Sequence, residues 1–108
     1  MSLYMTRARY TPEACKGMLS NPGDRASAAK AMFEAAGIKM HHIWMTANGD
    51  VVTVVEGNAV SGAAVSMVVM ASGAFTEVDS IELITPEQQL EAMKLGGSVA
   101  SKYRAPGK

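Results

Sequence analysis

Asn48-Gly49 separates two runs rich in β-branched and aromatic residues, Ile43-Trp44-Met45-Thr46 and Val51-Val52-Thr53-Val54-Val55. Asn-Gly is the strongest short-range signal for a β-hairpin, because both residues accept the positive φ of a tight turn. A hairpin fixes a register, and register decides which side chains meet on each face of a sheet. Read as a two-residue turn, the sequence sets Ala47 opposite Asp50, Trp44 opposite Thr53 and His42 opposite Val55. That register predicts Ile43, Met45, Val52 and Val54 on one face, and Trp44, Val51 and Val55 on the other.

The flanking segments supply the other elements. Residues 3–10 read as a strand, and Thr11 caps a helix whose first turn holds Pro12 and Glu13. The helix pauses at 20–23 and resumes over 24–36, with Gly37 as its stop. After the hairpin strands at 38–46 and 51–56, Asn58 caps a helix over 59–71. A strand at 75–85 follows, and Pro86-Glu87 opens a short helix that Gly96-Gly97 ends near residue 95. The order β-α-β-β-α-β plus a C-terminal helix predicts a ferredoxin-like α+β sandwich, with residues 1–95 as the domain and 96–108 as a tail. A chain of 108 residues holds one such core. Helices cover only one face of that sheet, yet both faces read as apolar. The uncovered face calls for a second copy, so a homodimer or higher homo-oligomer is expected.

Bulk composition narrows the function classes. Ten basic residues balance ten acidic ones, which argues against nucleic acid as a partner. The one cysteine, Cys15, allows neither an internal disulfide nor a thiolate metal cluster. No apolar run reaches membrane-spanning length and no secretory leader is visible, so a cytoplasmic protein without membrane contact is expected. Aromatic residues make up only 6% of the chain, so aliphatics and methionines must fill the core. Walker, GxGxxG, GxSxG and CxxC signatures are missing, and no cofactor or metal is expected.

Several segments resemble one family. Tyr4-Met5-Thr6 with Tyr10-Thr11, Ser20-Asn21-Pro22-Gly23-Asp24-Arg25, the hairpin from Trp44 to Glu56, Met70-Ala71-Ser72-Gly73 and Ser80-Ile81 are together similar to the GYD-domain proteins, over roughly residues 4–90. The resemblance implies a dimeric α/β barrel, the architecture shared by antibiotic-biosynthesis monooxygenases and muconolactone-isomerase-like enzymes. The Gly-x-Tyr-Asp turn that names the family stands here as Ala47-Asn48-Gly49-Asp50, without the tyrosine, so only Asp50 carries over as a ligand-binding candidate.

Three further residues could carry chemistry. His42 and Trp44, two apart on one strand, could set a general base beside a stacking platform; the plainer reading is a hydrogen-bonded histidine beside a tryptophan at the dimer seam. Adjacent His41 and His42 would point to opposite faces, with His41 paired across the strands to Glu56. Arg7 lies mid-strand in an internal strand, where a guanidinium needs a carboxylate such as Glu77, Asp79 or Glu82, or else a wet cleft in which it anchors an anionic ligand. The expectation is an apolar pocket between sheet and helices. It would serve either a cofactor-independent isomerase, lyase or monooxygenase for a small carboxylated or aromatic metabolite, or a non-catalytic ligand-binding or assembly module. His42 would be the base, Trp44 the platform and Arg7 the anchor.

Overall fold

The computed structural model describes residues 1–108. Its elements are β1 (Ser2–Tyr10), α1 (Pro12–Ser20), α2 (Arg25–Ala35), β2 (Lys39–Met45), β3 (Asp50–Gly57), α3 (Ala59–Ala71), β4 (Phe75–Leu83) and α4 (Pro86–Val99), with a single 3-10 turn at Ala100–Lys102. One antiparallel sheet in the order β2-β3-β1-β4 makes this the ferredoxin-like α+β arrangement with an added C-terminal helix.

Side-chain caps fix the helix starts. Thr11 Oγ1 accepts from the Ala14 N–H at 3.2 Å, Asp24 Oδ1 from Ala26 at 3.0 Å and Ser27 at 3.2 Å, and Asn58 Oδ1 from Ser61 at 2.9 Å. Thr85 and Gln88 form a reciprocal capping box at the head of α4. That helix runs through Gly96-Gly97 to Val99, beyond the predicted stop at residue 95. A glycine ends a helix by turning left-handed, and neither of these two does so.

The hairpin loop is one residue longer than the two-residue turn predicted. Thr46 and Asp50 face each other: the Thr46 N–H donates to the Asp50 carbonyl at 2.9 Å, and the Asp50 N–H donates to Thr46 Oγ1 at 2.9 Å. Ala47-Asn48 form the turn and Gly49 follows at φ +100°, the pattern of a three-residue loop with a glycine bulge. Trp44 therefore pairs with Val52, Ile43 with Thr53 and Met45 with Val51. Because side chains alternate along a strand, this single step transfers Val52 and Val54 to the face of His42 and Trp44.

A second irregularity lies in β2. Met40 pairs with Val55 and His42 with Val54, which leaves His41 as the extra residue of a bulge. His41 Nε2 lies 2.9 Å from Glu56 Oε1, so the expected cross-strand pair forms. The bulge sets it on the same side as His42, and the prediction of opposed histidines is corrected.

Only eight residues are buried, and the apolar centre is Phe33, Ile38, Val55 and Val65, which tie α2, β3 and α3 together. Gly57 makes this close approach workable, since a Cβ there would come within 3.0 Å of Ile38 Cγ1. α4 contributes no buried residue, and every residue along it is exposed. The radius of gyration is 18.0 Å, against about 13 Å for a compact chain of this length. The molecule measures 59 × 33 × 24 Å.

Replacing Gly49 by valine forces a β-branched side chain into the left-handed region and is expected to cost about 1–2 kcal/mol. Chemical denaturation of Gly49→Val beside Gly49→Asn checks it, the asparagine variant being the milder of the two.

Candidate functional site

α2 lies over the edge strand β2 and α3 over the opposite edge strand β4, so the central strands β1 and β3 run beneath a gap between the helices. The gap is a cavity of about 420 Å³, within the range of small-molecule pockets. Its floor is the helix-side row of the central strands, Tyr4, Thr6 and Ala8 of β1 with Val51, Thr53 and Val55 of β3. Small residues form the walls, Ala28 and Ala29 on α2 and Gly62, Ala63 and Ser66 on α3. Side chains this short cannot close the space, so the alanine-dense helices noted in the sequence produce a cavity here, not a tight core.

Polar groups in the cavity are few. Thr6 and Thr53 hydrogen-bond each other through their hydroxyls across β1 and β3, which satisfies both on a floor whose other polar group is the Tyr4 phenol. Tyr10 stacks against Phe75 with ring centroids 4.7 Å apart. Arg25, the first residue of α2, is the one cationic lining side chain. Asp79 is the one lining acid, but it is in register with Arg7, so by strand alternation its carboxylate turns to the other face.

The four residues singled out in the sequence gather on that other face. Arg7 Nε donates to Asp50 Oδ2 at 2.6 Å, and Arg9 Nε lies 3.2 Å from Asp50 Oδ1. Asp50 is only 4% exposed, covered by guanidinium groups that are themselves about half exposed. The partner of Arg7 is thus Asp50 on β3, in place of Glu77, Asp79 or Glu82 on the last strand. The pairing of β1 with β3 decides this, because it sets Asp50 directly opposite Arg9. His42 and Trp44 stack at 4.8 Å with planes 11° apart. Trp44, Val52 and Arg7 form one row across the sheet, and His42, Val54, Met5 and Ile81 the next. The structure brings Arg7, His42, Trp44 and Asp50 together, and none of them lines the cavity.

Beside this row the His41 hydrogen bond holds the Glu56 carboxyl below its ordinary range, with burial opposing and the charges of His41 and Lys39 adding to the effect. A lowered carboxyl stabilises the folded state above its unfolded value near 4.5. That contribution fades as pH falls through the folded value.

The arrangement defines a ferredoxin-like α+β sandwich with a cavity on the helix side and an uncovered, partly charged sheet face on the other. The family model for the GYD domain matches residues 4–93, and the chain belongs to the GYD domain family. No relative was found among curated proteins. No helix is long and apolar enough to cross a membrane.

Because Asp50 is the common partner of two arginines, Asp50→Ala is expected to lower stability by about 1–3 kcal/mol. Arg7→Leu should cost less, since Arg9 still meets the carboxylate. Urea denaturation of the two variants tests that order.

Proposed function

We propose that this chain is a small-molecule-binding protein that works as a homodimer, with its ligand held between the sheet and helices α2 and α3. The cavity carries this reading: it is pre-formed, mostly apolar, and lined by no histidine, cysteine, lysine or glutamate. A cofactor-independent isomerase, lyase or oxygenase would want a base beside its substrate, yet His42 stacks on Trp44 across the sheet from the cavity. Binding is therefore favoured over catalysis. A cytoplasmic setting suits the single free cysteine, Cys15.

Two observations support the dimer. The open sheet face exposes Met5, Trp44 and Ile81, with Trp44 at 56% of its full exposure. Helix α4 exposes Leu90, Met93, Leu95 and Val99 and packs against no other helix or strand of its own chain to any extent, its main contact being the turn that follows it. A solitary helix of 14 residues is marginal in water, so a second protomer covering both surfaces would satisfy sheet and helix alike.

The cavity is tested with Nile red, a neutral apolar dye. Its emission is expected to rise on binding the full chain and to stay low with Ala63→Trp, which fills the gap; equal emission from both proteins removes the cavity from the proposal. The dimer is tested by sedimentation velocity with Trp44 emission as a second readout. Met5→Asp is expected to yield monomers with red-shifted emission, and a wild-type monomer at micromolar concentration rules the dimer out.

A further inference from the structure

The proposal rests on the small-molecule reading of the cavity and concerns the chemical class of its ligand. Arg25 is exposed, and it is the one cationic side chain that borders the cavity. Arg7 and Arg9 are spent on Asp50, Lys16 lies near Glu13, and Lys30 lies near Glu34. Arg25 has neither an ion pair nor a side-chain hydrogen bond, although it borders the cavity.

Its position brings no local benefit. As the first residue of α2 it stands at the positive end of the helix dipole, where a cation is unfavourable. The adjacent cap Asp24 uses its carboxylate on the Ala26 and Ser27 N–H groups and the Ser27 hydroxyl, and makes no contact with the guanidinium. Asp24 titrates below its ordinary range for that reason, the Ser27 hydrogen bonds being the main cause.

Chain geometry sets the direction of the ligand. The C-terminal end of α2 is pinned where Ile38 meets Gly57, and 11 residues of helix carry its start about 16 Å back along the sheet. Arg25 therefore lies toward the end marked by the Tyr10–Phe75 stack, while the floor is mostly apolar, its polar groups being the mutually bonded Thr6 and Thr53 and, toward the opposite end, the Tyr4 phenol. We infer that the cavity takes an elongated apolar molecule bearing one terminal carboxylate, its body between α2 and α3 and its anionic end on the Arg25 guanidinium. A planar fork of donors without a protein acceptor is what a carboxylate fits.

Octanoate, 1-octanol and octylamine share one tail and differ in the head, so isothermal titration of each into the full-length protein separates tail from head. Octanoate is expected to bind best. Arg25→Gln is expected to weaken octanoate about tenfold and leave octanol unchanged, with Arg25→Lys recovering part of the loss and the thermal midpoints of both variants at the wild-type value. Ala63→Trp should abolish binding of both. Equal affinity for octanoate and octanol, a preference for octylamine, or an Arg25→Gln variant that binds octanoate like wild type would overturn the carboxylate assignment while leaving the cavity as a binding site. Failure of all three probes to bind the wild-type protein would sink the small-molecule reading itself, and this inference with it.

Discussion

Gly49 accepts a backbone conformation that other residues resist, and through it the hairpin gains a third loop residue. That residue sets Val52 opposite Trp44, while the separate pairing of β1 with β3 sets Asp50 opposite Arg9. The β1–β3 pairing yields the two arginines closing over a buried carboxylate and the helix-side row that floors the cavity, and the hairpin register places Val52 and Val54 beside the histidine–tryptophan stack. A loop one residue shorter would reverse β3 relative to β2, parting Val52 and Val54 from the side of Trp44 and His42. The sheet's two characters, a charged and aromatic side and an aliphatic side with a threonine pair, thus come from turn chemistry together with the β1–β3 pairing.

Much of the frame was legible in the chain, because the signals that carry it are local. Thr11 and Asn58 each announce a helix start through a side chain able to accept backbone N–H groups, and each does so in the structure; Asp24 and Thr85 act as caps too, where the sequence reads a first helical residue and a strand end. Gly37 at φ +75° closes α2 as its position implied. The family resemblance, too, rested on short segments that the GYD match then spanned. What escaped was decided by context. Asn48-Gly49 fits turns of two lengths, and the Thr46 hydroxyl bonding the Asp50 N–H, which accompanies the longer one, is a contact no propensity encodes. The bulge at His41 is likewise invisible in a strand that reads as continuous.

The site was legible in part. Arg7, His42 and Trp44 read in the sequence as parts of one pocket, and alternation along β1 and β2 instead sets them on the face away from the cavity, with Asp50 of β3 beside Arg7. Their separation from the cavity depends on which side the helices take, and an apolar pattern on both faces left that open. The cavity's own residues drew little notice because they are ordinary: alanines, a glycine, two threonines, an arginine at a helix start. Only the spacing of α2 and α3 over opposite edge strands turns small side chains into empty volume.

Helix α4 buries no residue and holds its shape mainly by local means, a capping box and a proline at its head, and carries two glycines near its end. Such a segment sits close to the helix–coil balance, with the glycine pair as its weakest hinge. Any ordering beyond that balance must come from whatever the segment rests against. The helicity of the last twenty residues is therefore a built-in gauge of occupancy: it reports, from inside the polypeptide, whether that outlying arm has found a resting place.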